Sequence, residues 1–211
     1  MPCIVSYLIV VYPSLHAYPL SVYLKMPPQQ SALIIIDMQE GMASAGLPPR
    51  NNLDAENRLS SLLAFWREAG MPVVHVRHIS RSPGSVFFPG QSGVNFQQRF
   101  QPHPMEHVAE KNVADAFIHT GLERWLHARD IRHIVIAGVS TNVSVESSAR
   151  TAGNLGFATV VVADATFTFE KRDFAGTLHS ANDVHSMALA NLDGEFAAVR
   201  YTDDVLAEFR P

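Results

Sequence analysis

The sequence predicts an α/β fold, a three-layer αβα sandwich in which a central, mainly parallel six-stranded sheet lies between helices. Three observations lead to this prediction. Short continuous apolar runs, typical of strands buried on both faces, occur at Ser31–Asp37, His133–Ala137 and Ala158–Ala163. Segments with helical periodicity separate these runs. The length of 211 residues, with 47% hydrophobic and 17% charged residues, fits one globular domain.

The first half of the chain predicts two strands, one helix and a long loop. Ser31–Asp37 (SALIIID) is an apolar run that ends in an acid. Asp54–Ala69 carries apolar residues at helical spacing, and the following Gly70 is a common helix terminator. Pro72–Arg77 (PVVHVR) is the next strand. Ile79–Pro104 is rich in Gly, Pro, Ser and Gln and too long for a simple connection, so we expect a lid or binding loop.

In the second half of the chain, predicted strands alternate with predicted helices. This alternation implies right-handed crossovers and helices on both faces of the sheet. His107–Lys111 is a short strand that ends on a lysine, and His133–Ala137 (HIVIA) is a buried strand closed by Gly138. The other elements, each predicted from its residue pattern, are helices at His119–Arg129 and Asn142–Leu155, a strand at Ala158–Ala163, a mostly helical segment at Lys171–Asn191 and a strand at Phe196–Tyr201.

Charge and cysteine content exclude several functions. The net charge is −4 and no Lys/Arg-rich run is present, so the sequence gives no electrostatic basis for binding nucleic acid. Cys3 is the only cysteine, which excludes an internal disulfide and a cysteine-based metal site. We expect a cytoplasmic protein whose partner is a small-molecule substrate, with no nucleic acid and no membrane.

Residues 1–25 differ from the rest, since no charged residue occurs between Cys3 and Leu24. A signal peptide would need a basic leading region and a small-x-small cleavage site, and neither is found. A membrane span would be interrupted by Pro13 and Pro19. We favour a third interpretation, in which residues 1–25 are an apolar extension upstream of a start at Met26 and residues 26–211 form the domain.

Three groups of polar residues follow predicted strands. Asp37 and Lys111 each end a strand, and Ser140–Ser144 lies in a turn between a strand and a helix. Ligands of open parallel sheets bind beyond the carboxyl ends of the strands, so these groups are expected to converge on one pocket. The turn would direct several backbone N–H groups at one point, which suits a developing oxyanion.

The motifs that carry these residues resemble a known family. IDMQ at 36–39, EKNVADAF at 110–117 and GVSTNVSVESSAR at 138–150 are similar, in order and spacing, to motifs of the isochorismatase-like hydrolases, also called the cysteine hydrolase superfamily. The resemblance extends from Ser31 to Val205. It implies an isochorismatase-like fold and hydrolysis of small polar molecules: amides such as nicotinamide, N-carbamoyl compounds, or the vinyl ether of isochorismate. It also implies a homo-oligomer.

The resemblance also implies roles for individual residues. Asp37 matches the catalytic acid/base, Lys111 the catalytic lysine and Ser144 the nucleophilic cysteine. The N–H groups of Ser140 and Ser144 match an oxyanion hole, and the peptide between Val139 and Ser140 matches a cis bond.

Ser144 departs from the family pattern, because a serine hydroxyl is far less acidic than a thiol and needs a strong base. Three accounts remain open. In the first account, Ser144 is a weaker nucleophile activated by Asp37 and Lys111. In the second, Asp37 acts as acid or base with no covalent intermediate. In the third account the chain has lost amidase activity, is a non-catalytic small-molecule-binding protein, or carries serine as a replacement for cysteine.

No catalytic metal or other cofactor is expected. The nicotinamidase branch of the family carries an Asp-x-His pair, whereas residues 39–52 contain no histidine. His75 lies within a predicted strand and is interpreted as a packing residue. Gln39, Arg77 and Asn142 are the candidate substrate-binding residues, and Asn142 can also support the turn.

Overall fold

The computed structural model describes residues 30–44 and 46–209, so the prediction for residues 1–25 falls outside the described residues. The strands, in chain order, are β1 (Ser31–Ile36), β2 (Val73–His78), β3 (His107–Lys111), β4 (His133–Val139), β5 (Ala158–Phe167), β6 (Lys171–Arg172), β7 (Leu178–His179) and β8 (Ala198–Arg200). The helices are α1 (Ala55–Glu68), α2 (Leu122–His127), α3 (Glu146–Asn154), α4 (Ala181–Leu192) and α5 (Thr202–Phe209).

Six strands form one parallel sheet in the order β3-β2-β1-β4-β5-β8, and β6 and β7 form a separate antiparallel hairpin. Apolar side chains cover both faces of the sheet. One core cluster joins it to α1 and α5 and is centred on Trp66, whose ring lies 4.9 Å from that of Phe209. The other joins it to α2, α3 and α4. The predicted α/β sandwich is confirmed, and its central sheet is parallel throughout.

The prediction of a mostly helical Lys171–Asn191 is wrong in its first half, residues 171–180. The chain instead forms the β6–β7 hairpin, closed by the Asp173 carboxylate, which accepts hydrogen bonds from the N–H groups of Ala175 and Thr177 at 2.9 Å each. The helix α4 begins only after Ser180, whose hydroxyl accepts from the Asp183 N–H. These local side-chain contacts offer the backbone an alternative to a helix.

Other boundaries also differ from the predictions. The strand β4 continues through Gly138 to Val139, β8 is limited to Ala198–Arg200, and α2 ends at His127. The helix α2 begins only after Gly121, whose φ of +73° is left-handed, so residues 119–121 are not helical. The strand β5 continues past Ala163 to Phe167 after a register shift against β4 near Gly138. The first turn of the predicted helix at 142–155 is a π-helical turn, Thr141–Val145, that leads into α3. Within the described residues, no helix is long and apolar enough to cross a membrane.

A partly buried ionic cluster lies away from the carboxyl edge of the sheet. Arg67 of α1 donates two hydrogen bonds to Glu106, at 2.7 and 2.9 Å. His75 and the His103 N–H donate to the same carboxylate at 2.8 and 2.7 Å. Burial alone would raise the pKa of Glu106, but these hydrogen bonds outweigh it and lower the pKa to about 2. The cluster therefore ties α1 to the loop before β3 with an ionised carboxylate.

This cluster predicts an acid-dependent loss of stability. A carboxylate whose pKa is lowered by folding stabilises the protein above its unfolded pKa, here near 4.5, and the effect is lost as pH falls towards about 2. We expect the free energy of unfolding to fall less steeply across this range in Glu106→Gln than in the wild type. Urea unfolding at several pH values measures the slopes. The exposed Glu123→Gln is the control, and equal slopes in Glu106→Gln and wild type would contradict the prediction.

Candidate active site

The sheet brings Asp37, Lys111 and Ser144 to one point. Asp37 follows β1, Lys111 ends β3, and Ser144 lies in the π-helical turn after β4. Strands of a parallel sheet have their carboxyl ends at the same edge. Because β2 lies between β1 and β3, Lys111 starts about 10 Å from the β1 axis, and its long side chain reaches across the end of β2 towards the Asp37 carboxylate.

The Lys111 ammonium is the centre of the cluster, and its side chain is fully buried. It donates to Asp37 Oδ2 at 2.7 Å, to Ser144 Oγ at 3.2 Å and to the Val113 carbonyl at 3.3 Å. An ammonium has three N–H donors, so these contacts use all of them. Lys111 therefore acts towards Ser144 as a hydrogen-bond donor.

Asp37 has one paired and one free oxygen. Its residue is 1% exposed, and Oδ1 is a buried atom with no hydrogen-bond partner among the described residues. Burial raises the pKa of Asp37 above its usual value, although the Lys111 charge and hydrogen bond oppose that rise. The backbone has a φ of +53°, an uncommon value for a residue other than glycine. A buried carboxylate with a raised pKa and a free oxygen can hold or release a proton at the site.

A cis peptide and a π-helical turn shape the backbone around Ser144. The peptide between Val139 and Ser140 is cis, and the Ser140 carbonyl accepts from the N–H groups of Val143 and Val145 at 3.1 and 3.2 Å. Ser140 directly precedes the turn and Ser144 lies within it, so the turn holds the two residues close together.

Asn142 supports this turn. Its Oδ1 accepts from the Thr168 hydroxyl at 2.5 Å, and the Thr168 N–H donates to Asn51 Oδ1 at 2.8 Å. On the other side of the turn, the Thr141 hydroxyl is hydrogen-bonded to His185 Nδ1 at 2.8 Å. The turn is thus fixed to the end of β5 and to α4.

The structure places Gln39 and Arg77 differently from the expectation that they bind substrate. The Gln39 side chain is fully buried, and both ends of its amide bond to protein backbone. The Arg77 guanidinium pairs with Glu110 and lies 5.6 Å from the Phe96 ring. Neither side chain is among the contacts of Asp37, Lys111 or Ser144.

His78 joins the site without having been selected from the sequence as an acid–base residue. It ends β2, and its ring interacts electrostatically with both Asp37 and Lys111. The rule that selected Asp37 and Lys111, a polar residue at the carboxyl end of a strand, applies equally to His78.

A cavity of about 460 Å³ opens beside Lys111. Its other lining residues come from the loop after β2 and from the end of β3: Ile79, Ser80, Arg81, Phe88, Pro89, Glu110 and Asn112. The loop predicted at Ile79–Pro104 thus supplies most of this wall, whereas Asp37 and Ser144 are not among the lining residues. A larger cavity of about 510 Å³ lies near Arg67 and Trp125, by the ionic cluster and outside the site.

Within residues 30–44 and 46–209, no group of three or more His, Cys, Asp or Glu side chains is arranged so that it could hold a metal ion. The charge next to Asp37 is instead the Lys111 ammonium.

Comparisons with known proteins agree with the fold and the motifs. The family model described as "Isochorismatase domain" matches residues 31–204. The chain is 36% identical over 181 residues to the uncharacterized isochorismatase family protein YrdC of Bacillus subtilis, covering 86% of this chain and 97% of that protein. It is 30% identical over 178 residues to the ureidoacrylate amidohydrolase RutB of Cronobacter sakazakii, covering 68% and 77%. A crystal structure of an isochorismatase-family protein from Chromobacterium violaceum superimposes with a TM-score of 0.85 and 44% identity, covering 88% and 96%.

Proposed function

The chain belongs to the isochorismatase family of hydrolases, and on that basis we propose that it hydrolyses a small polar molecule by acid–base chemistry centred on Asp37. Asp37 transfers the proton, Lys111 fixes and balances its charge, and the N–H groups of Ser140 and Ser144 bind the substrate oxygen. The substrate is an amide, a carbamoyl compound or a vinyl ether.

One observation carries this proposal: the buried Asp37 carboxylate has Oδ2 paired with Lys111, Oδ1 without a hydrogen-bond partner among the described residues, and the Ser144 hydroxyl close enough to oppose the rise of its pKa. Leaving a buried carboxylate oxygen unpaired costs free energy, so Oδ1 is suited to accept a proton or a hydrogen bond from a substrate or a water molecule. Burial also raises the pKa of Asp37, which favours proton exchange near neutral pH.

Lys111 contributes electrostatics rather than proton abstraction. Its ammonium donates to Ser144 Oγ, so it offers no lone pair to remove the hydroxyl proton. A serine nucleophile would therefore depend on Asp37 alone, a weaker base than the His or Lys that usually serves. This favours catalysis without a covalent intermediate, in which Asp37 protonates the substrate or activates water.

A second candidate is hydrolysis through a Ser144 ester. The observation in its favour is the position of Ser144 in the turn after β4, where its own N–H and that of Ser140 would bind an oxyanion. Asp37 would then take the hydroxyl proton, and water would later cleave the ester.

Substitution of Ser144 separates the two routes. With no covalent intermediate, we expect Ser144→Ala to keep at least about a tenth of the wild-type kcat/KM, because it loses one hydrogen bond. With a serine nucleophile, the same change should lower kcat/KM about 10³-fold or more. Steady-state kinetics measures the difference, and mass spectrometry of quenched reactions detects an ester on wild-type protein. An ester together with an inactive Ser144→Ala would overturn the non-covalent route.

The substrate class is tested by a panel chosen from the chemistry of the family. Ureidoacrylate, nicotinamide, N-carbamoyl amino acids and isochorismate represent carbamoyl, amide and vinyl-ether bonds. Each is incubated with wild type and with Asp37→Asn, and product is measured by chromatography. Turnover that is equal in both proteins would contradict the proposed role of Asp37.

A further inference from the structure

We propose that His78 is a positioning residue that holds the Lys111 ammonium against Asp37 and makes the site sensitive to acid. This inference rests on the proposed use of Asp37 and Lys111 as the acid–base pair.

The register of the sheet places His78 between the two partners. The strand β2 lies between β1 and β3, and His78 is paired directly with Lys111 in the β2–β3 ladder. Residues paired in this way direct their side chains to the same face. The Lys111 side chain must cross the end of β2 to reach Asp37, so it crosses beside His78.

Gln39 fixes the backbone of His78. Its Oε1 accepts from the His78 N–H at 2.7 Å, and its Nε2 donates to the His78 carbonyl at 3.0 Å and to the Val94 carbonyl at 3.0 Å. Gln39 is two residues after Asp37 and fully buried. This double clamp sets the distance between His78 and the Asp37 segment, and it gives the Gln39 amide a role in place of substrate contact.

The side chains of His78 and Lys111 lie near the same backbone carbonyl. The Val113 carbonyl accepts from Lys111 Nζ at 3.3 Å, and it also lies near enough to the His78 ring to raise its pKa. Phe87 packs edge-on against the ring, with the centroids 5.9 Å apart. The ring is thus held in place, and with the ammonium it fixes the position of the carbonyl.

Two charged groups face the ring, Asp37 from the end of β1 and Lys111 from the end of β3. Burial and the Lys111 charge lower the pKa of His78, while Asp37 and the Val113 carbonyl raise it by less. The imidazole is therefore neutral at pH 7. Acid adds a proton and places a second cation beside Lys111, which weakens the hold of Lys111 on Asp37.

NMR titration of the histidine rings tests this arrangement without a substrate. Asp37→Asn removes the charge that raises the pKa of His78, so its titration midpoint should fall. Lys111→Met removes the charge that lowers it, so the midpoint should rise, each by at least about half a pH unit. The His78 signal is assigned by its loss in His78→Asn, and the exposed His127 is the internal control. The test uses each variant that folds. If the His78 midpoint is unchanged in every folded variant, the proposal is overturned.

Kinetics on any substrate that the panel identifies gives the second test. We expect His78→Ala to lower kcat about tenfold with a smaller change in KM, and His78→Asn to recover part of the loss because its amide can donate to the Val113 carbonyl. In His78→Asn the acid limb of the pH profile should shift or vanish, since Asn does not titrate. An unchanged acid limb would contradict the proposal. If no substrate is turned over, the NMR shifts still decide the role of His78. An Asp37→Asn protein that is active would reject the proposed function but would leave the NMR test of His78 unaffected.

Discussion

Asp37→Asn is expected to lower kcat/KM by about 10²- to 10⁴-fold, the usual contribution of a positioned acid or base. Asparagine has nearly the same shape, so the site keeps its volume. It cannot take up or release the proton, however, and it no longer balances the Lys111 charge, 2.7 Å away. The loss should fall mainly on kcat, because the missing proton transfer belongs to the transition state.

The same substitution tests the electrostatics of the site through stability. Lys111 would remain buried with no counter-charge, and breaking a buried pair by removing one partner typically costs about 3–5 kcal/mol. Urea unfolding measures this cost, and circular dichroism shows whether the protein is folded under assay conditions. Asp203→Asn, at a side chain that is 82% exposed, is the matched control and should change neither quantity. A folded Asp37→Asn protein with wild-type kcat/KM would reject Asp37 as the acid–base residue.

Which parts of this site can be predicted from the sequence depends on the rule that each part obeys. Asp37 and Lys111 end apolar runs, and the carboxyl-edge rule brings such residues together. His78 obeys the same rule. The alternation of a strand gives a further constraint, because Arg77 and its ladder partner Glu110 alternate with His78 and Lys111 and so direct their side chains to the opposite face. Applied to β2, this alternation argues against Arg77 as a substrate ligand.

Other features depend on contacts that no local pattern encodes. An amide such as Gln39 can face a ligand or bind backbone, and only the tertiary structure shows that His78 and Val94 surround it. The hairpin in place of a helix at residues 171–179 likewise depends on the Asp173 carboxylate reaching the backbone of Ala175 and Thr177. The helical spacing of apolar residues gives no information about this competing side-chain contact.

The second large effect is expected at Gly138 of β4, which is paired with Ile36 of β1. Its φ is +121°, and a Cβ added there would lie 2.1 Å from the Ile36 carbonyl oxygen. Gly138→Ala therefore combines backbone strain with overlap against backbone that cannot rotate away. Together these should lower the free energy of unfolding by about 3 kcal/mol or more.

Gly156→Ala separates the two causes. Gly156 also has a positive φ, +88°, but a Cβ there would meet nothing within 4 Å. It should cost only about 1 kcal/mol, the strain of a left-handed residue. Urea unfolding measures the loss of unfolding free energy in each variant, and the difference between the two losses gives the cost of the overlap. Equal losses would show that the β1–β4 contact tolerates a methyl group.

Because Ile36 directly precedes Asp37 and Gly138 lies two residues before Ser140, relieving the overlap must separate Asp37 from the Ser144 turn. Gly138→Ala should therefore also lose activity under conditions in which it remains folded, whereas Gly156→Ala should keep it.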